Sequence, residues 1–169
     1  MEKVKIVNKS NSSLPKFETD GAAGMDLRAS FKYVTPENPL KVFGKAEIVF
    51  GNETRKTLLC LEPNARAIIP TDMYITVPKG HFCAIYPRSG LSIKEGLGLC
   101  NSVGVLDEDY TGNMGIPVIN NGFETICIED GERIAQMIIQ PYVRFEWEEV
   151  ESLEKTNRNP NGFGSTGNK

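Results

Sequence analysis

The sequence predicts an all-β protein, a sandwich, barrel or jelly roll, with one short helix. Three observations carry that reading. Apolar residues come in short or alternating runs of strand length rather than in helical stripes. Turn signals such as Pro78-Lys79-Gly80, Asn121-Gly122 and Asp130-Gly131 separate those runs. The total of 16 glycines and 10 prolines is that of a chain with many turns. At 169 residues it is read as one domain over 1–150, with 151–169 as a linker and flexible C-terminal arm.

The elements follow in order. Val4 and Ile6 open a strand, and Thr19-Asp20-Gly21 turns the chain into Met25-Asp26-Leu27-Arg28. Residues 31–60 read as an inserted loop and hairpin: Pro36, Asn38 and Pro39 mark the loop, and Glu47 to Leu61 folds back around Gly51-Asn52. Strands are then expected over Ala65–Ile69, Met73–Val77, Phe82–Tyr86, Met114–Ile119, Thr125–Ile128, Ile134–Ile139 and Tyr142–Trp147. Ser89 to Gly96 breaks the pattern, with a serine able to cap, Leu91 and Ile93 behind it and a glycine stop, so it is read as the helix. Its N-terminal amides would seat phosphate oxygens beside Arg88. The plain alternative is a surface helix plugging one end of the barrel. From Glu148 to Lys155 the chain is acidic and weakly periodic, a solvated linker.

Composition excludes several classes of function. With 22 acidic against 19 basic residues the net charge is -3, so no broad surface attracts a nucleic-acid backbone. The single histidine, His81, and the absence of any C-x-x-C pair remove a histidine-based triad and a zinc set. Cys60, Cys83, Cys100 and Cys127 each sit in a strand-like run and are read as reduced core thiols. No stretch has the length of a signal peptide or a membrane span, which predicts a cytoplasmic or otherwise intracellular protein, with the nucleus open to a eukaryotic or viral one.

Two segments carry chemistry. Gly104-Val105-Leu106-Asp107-Glu108-Asp109-Tyr110-Thr111-Gly112 is a tight acidic turn ending in an aromatic ring. Arg158-Asn159-Pro160-Asn161-Gly162-Phe163-Gly164-Ser165-Thr166-Gly167 is a glycine-rich arm with one cation and one ring. A carboxylate and a ring on a turn, with a mobile lid bearing a cation, suit a small phosphorylated ligand. A hairpin turn and a frayed terminus are the bland reading of the same residues.

Five segments in this order resemble the five motifs of the trimeric deoxyuridine triphosphatases. They are Ala22 to Ala29, Pro87-Arg88-Ser89-Gly90-Leu91, Asn101 to Gly112, Gly131 to Met137, and Arg158 to Gly167. The resemblance implies a jelly-roll or distorted β-barrel (β-clip) homotrimer that hydrolyses dUTP to dUMP and pyrophosphate with Mg2+, its active sites shared between subunits. It implies Asp107 as general base, with Asp109 as a turn-stabilising residue. Tyr110 would lie against the deoxyribose and leave no room for a 2′-hydroxyl; its alternative is ordinary strand packing. Asn101 would pair with uracil, helped by main-chain groups around Val105, Leu106 and Gly115, with the hairpin wall too close for a thymine methyl. Arg88, Ser89, Gly90 and Gln136 would bind phosphates, Arg133 would be structural, and Asp26 would reach a metal-bound water. Phe163 would stack on uracil and Arg158 would meet the γ-phosphate, with Gly164 and Ser165 also binding substrate.

The chain departs from the usual arm, Arg-Gly-x-Gly-Gly-Phe-Gly, at Asn159, Pro160 and Asn161, and asparagine is the residue that best replaces glycine at positive φ. Glu132 stands where aspartate is common, and 31–60 is longer than the usual connection. Two rivals are a dCTP deaminase of the same fold and a non-catalytic trimeric adaptor that responds to nucleotide.

Overall fold

The computed structural model describes residues 3–53 and 55–155. The arm residues Arg158, Phe163, Gly164 and Ser165 lie outside the described residues. Thirteen strands and one helix follow one another among those described: β1 (Ile6–Asn8), β2 (Met25–Arg28), β3 (Val42–Phe43), β4 (Ala46–Val49), β5 (Leu58–Leu61), β6 (Arg66–Ile69), β7 (Met73–Ile75), β8 (His81–Pro87), α1 (Ser89–Glu95), β9 (Leu97–Leu99), β10 (Gly104–Leu106), β11 (Ile116–Asn120), β12 (Ile126–Glu129) and β13 (Arg133–Pro141). They form four antiparallel sheets in the orders β1-β7, β10-β8-β13-β2, β3-β6-β11-β9 and β12-β5-β4, none of which closes on itself.

Period-two patterning sets which face each strand buries. In β6, Ala67 and Ile69 point inward while Arg66 and Ile68 point out, and in β11 Ile116, Val118 and Asn120 are buried. The inward faces meet in one core around Leu27, Leu59, Leu61, Met114 and Ile134, each 0–2% exposed. Asn120 sits in it at 0% exposure because it is fully bonded: its amide donates to the Leu61 and Glu124 carbonyls and its oxygen accepts from Gly122.

The hairpin expected within 31–60 is present, with β4 paired to β5 from Ala46↔Leu61 to Val49↔Leu58. The helix also forms, and Gly96 ends it at φ 80, where its own N–H reaches back to the Leu91 and Ser92 carbonyls. Ser89 is not the cap, however. Arg88 holds that position with extended backbone and no side-chain cap bond, so Ser89 is the first helical residue.

Two other expectations fail. Tyr142–Trp147 forms no strand among the described residues, although Val143, Phe145 and Trp147 alternate as a strand would. A strand needs an edge to pair with, and this segment finds none among the described residues. The cysteines are not all reduced core thiols. Cys60 and Cys127 face each other across the β5–β12 ladder with Cα atoms 4.0 Å apart and form a disulfide. Their neighbours Leu59, Leu61, Ile126 and Ile128 point into the core, so both sulfurs point outward. Cys100 is exposed, and only Cys83 is a core thiol, its pKa pushed up to about 11 by burial. The disulfide closes a sequence separation of 67 residues. Dithiothreitol should therefore lower the thermal midpoint, by an amount corresponding to about 2–4 kcal/mol, and Cys60→Ser should remove that sensitivity to reductant.

Candidate active site

β8 organises the candidate residues. On one side it pairs with β10, in the register Gly104↔Ile85, Val105↔Ala84 and Leu106↔Cys83. On the other it pairs with β13, which in turn pairs with β2. β10 is the edge of this sheet, so one row of its backbone amides and carbonyls faces outward rather than into a ladder.

That edge lines a cavity of about 230 Å³. Ile85, Leu99, Met114 and Pro117 supply its apolar surface, and Asn101, Asp107, Tyr110 and Asn113 supply polar groups. Val105, Leu106 and Gly115 line it as well. Val105 turns its side chain outward while Leu106 is buried, so Leu106 belongs to the core and lends the pocket its main chain. Two glycines bring backbone close: a Cβ on Gly104 would stand 3.1 Å from Ile85 Cβ, and one on Gly115 the same distance from Ile68 Cγ2.

Asp107 leaves β10 exposed and begins a turn closed by the Tyr110 N–H on its carbonyl at 3.2 Å. Its carboxylate has no hydrogen-bond or ion-pair partner among the described residues. Asp109 is exposed and likewise makes no such bond, its one interaction among those residues being electrostatic, with Arg144. Glu108 does: one oxygen accepts from the Gly80 amide at 2.7 Å and the other from Arg144 at 3.2 Å. The Gly80 bond, helped by Tyr142 and Arg144, holds the Glu108 carboxyl below its ordinary range. A depressed folded-state pKa stabilises the fold above the ordinary carboxylate range, and that contribution fades as pH falls through the lowered value.

Tyr110 is 43% exposed, which removes the strand-packing reading. Its hydroxyl donates to the Asn113 carbonyl at 2.9 Å. The ring lies over the bare backbone of Gly112, where a Cβ would meet the hydroxyl at 2.5 Å. Neither Asn113 nor this use of Gly112 is visible in the sequence, because the signal is a tertiary contact rather than a spacing.

The second group lies where β8 runs into α1. Asp26 is gripped on both oxygens, by Arg88 Nε at 2.9 Å and by an Arg133 guanidinium nitrogen at 3.1 Å. Arg88 also donates to the Arg133 carbonyl at 3.1 Å, and the Gln136 amide donates to the Pro87 carbonyl at 3.0 Å. Ser89 and Gly90 are exposed at the helix start. A Cβ on Gly90 would meet nothing within 4 Å, so packing within the chain does not require the glycine.

The two groups are far apart in one chain. Leu106 pairs with Cys83, so Asp107 falls opposite Phe82, six residues before Arg88. At ~3.3 Å per residue that is roughly 20 Å, far longer than a triphosphate. No helix of the described residues is long and apolar enough to cross a membrane.

A pocket walled by an edge strand, with a carboxylate and an aromatic ring at its rim and a separate arginine cluster, has the layout of a nucleotide-binding β protein. The dUTPase family profile matches residues 53–167. The deoxyuridine 5'-triphosphate nucleotidohydrolase of Finegoldia magna is 46% identical over 165 residues, covering 98% of this chain and 99% of that one. The enzyme of the same name from Anaeromyxobacter sp. is 38% identical, covering 91% of this chain and 87% of that one. Among solved structures, a mutant dUTPase of Staphylococcus bacteriophage 80alpha with dUpNHpp aligns over 99% of each chain, at 25% identity and a TM-score of 0.73. This chain belongs to the dUTPase family.

Proposed function

We propose that the chain hydrolyses dUTP to dUMP and pyrophosphate, with Asp107 as the base that takes a proton from the attacking water. Family membership carries the reaction. The observation that favours Asp107 is its carboxylate, exposed at the pocket rim and committed to no partner among the described residues. A general base must be free to accept a proton and fixed enough to aim, and the Glu108 bonds hold its turn.

The apolar slot suits a pyrimidine ring, with Asn101 and the exposed β10 backbone as hydrogen-bonding edge. Groups matched to uracil are left unsatisfied by cytosine, which makes rejection strong. Tyr110 at the rim suits the deoxyribose. Arg88, Ser89, Gly90 and Gln136 bind the phosphates, and the open space over Gly90 supports that use.

The triphosphate would bring Mg2+ with it. Asp26 suits such a metal, because a carboxylate oxygen that accepts one arginine bond still has a lone pair for a metal-bound water. The ion would neutralise phosphate charge. Arg88 and Arg133 hold the Asp26 carboxylate in place.

With backbone positions roughly 20 Å apart along β8, Asp107 and Arg88 of one chain are poorly placed to serve one triphosphate. That separation, with the unpartnered alternation of Val143, Phe145 and Trp147, supports a homotrimer whose sites are shared. The arm residues Arg158 and Phe163 would complete each site, closed by Gly164 and Ser165. Pyrophosphate release measured with dUTP, dCTP, dTTP and UTP tests the reading. Turnover should be confined to dUTP, whereas ammonia release from dCTP would favour the deaminase.

A further inference from the structure

Tyr110, Asn113 and Gly115 line a second cavity as well as the first. It is about 460 Å³, and Tyr33, Val34, Pro39 and Leu40 of the 31–60 segment form much of its far side. The Tyr110 ring is thus part of a wall with space behind it. A ring excludes a 2′-hydroxyl by bulk only if it cannot swing back into that space, so the wall needs a brace.

The brace begins in a buried polar cluster. Asp72 is 4% exposed and stands at φ 52, a left-handed conformation that aspartate tolerates better than most residues. One carboxylate oxygen accepts from Ser30 at 2.6 Å and the other from the Asn113 amide at 2.9 Å. The Asn113 side-chain oxygen accepts from the Thr71 and Asp72 amides at 3.3 and 3.1 Å. A flipped Asn113 would set its NH₂ against two donors, so its orientation is fixed. Its main-chain carbonyl is the acceptor of the Tyr110 hydroxyl.

We propose that Asp72 and Asn113 are positioning residues for sugar selection, locking the Tyr110 ring so that it rejects ribonucleotides. The proposal rests on the reading that Tyr110 lies against the deoxyribose. Its measure is the ratio of kcat/KM for dUTP to that for UTP, which does not depend on how much of a variant folds.

Asn113→Ala removes the three side-chain bonds that place the Asn113 carbonyl and leaves that carbonyl loose, so it should narrow the ratio about three- to tenfold, up to what losing the Tyr110 hydroxyl bond itself would do. Tyr110→Phe, which keeps the ring but loses the hydroxyl, should narrow it by a similar amount. The double variant should go little further, because the Asn113 side chain acts on the ring only through the carbonyl that the Tyr110 hydroxyl bonds. Asp72→Ala, which leaves the Asn113 amide without its acceptor, should narrow the ratio as Asn113→Ala does, whereas Asp72→Asn should retain it: its amide oxygen still serves Asn113, and the Ser30 hydroxyl can turn to accept. If Asn113→Ala does not fold, Tyr110→Phe alone carries the test. An unchanged ratio in Tyr110→Phe, or fully additive effects in the double variant, would overturn the brace. Tyr110→Ala separates the two levels. If it narrows the ratio while Tyr110→Phe does not, only the brace fails; if it leaves the ratio unchanged, the brace and the reading of Tyr110 both fail.

Discussion

Asp107→Asn should bind dUTP with little loss and hydrolyse it at least about 10²-fold more slowly. The amide is nearly isosteric with the carboxylate, and Asp107 has no bond to a described residue that the change would break. The Tyr110 amide closes the turn on the Asp107 main-chain carbonyl, which the substitution leaves in place. Glu108 and its bonds to Gly80 and Arg144 also remain. What the variant lacks is a group that accepts a proton at neutral pH. Calorimetric titration with a non-hydrolysable dUTP analogue, beside single-turnover kinetics, separates binding from chemistry. Turnover within a factor of a few of the parent would remove Asp107 from the mechanism.

The second large effect concerns two inactive chains that restore each other. Arg88→Ala removes a cation from the proposed phosphate site and one partner of Asp26, and should cost about 10²-fold or more. Asp107→Asn chains alone should also be inactive. Equal amounts of the two, allowed to assemble at random, should recover about a quarter of the parental activity. The reason is geometric: Asp107 and Arg88 lie toward opposite ends of β8, so in the proposed trimer each site would take an intact Asp107 from one subunit and an intact Arg88 from another. Each condition is met half of the time. Distinct tags on the two chains verify that mixed assemblies form. A mixture containing them and remaining as inactive as its parents would sink the shared site.

Local order was widely legible. Alternation located most strands, because a half-buried strand repeats every two residues whatever it packs against. The Gly51-Asn52 hairpin and the helix stopping at Gly96 were legible because turn and cap chemistry is set by neighbouring residues. The one strand that failed, Tyr142–Trp147, carries the right alternation and lacks an edge to pair with. Alternation reports what a segment can form, whereas pairing requires a partner.

The functional residues divide along the same line. The sequence by itself determined the all-β class, the order of the five motifs and the family to which the chain belongs. It also determined the candidates Asp107, Tyr110, Asn101, Arg88 and Asp26, since residue type and motif spacing are properties of the chain. Only the tertiary structure decided which groups hold them. Asp26 lies between Arg88 and Arg133, Glu108 ties down the turn through Gly80 and Arg144, and Asp72 reaches Asn113 across 41 positions. Cys60 faces Cys127 because β5 and β12 pair in one particular register. A slip of one residue would turn every side chain of a strand to the other face. Register between strands distant in sequence is fixed by the packed core as a whole, and no local window of the sequence contains it.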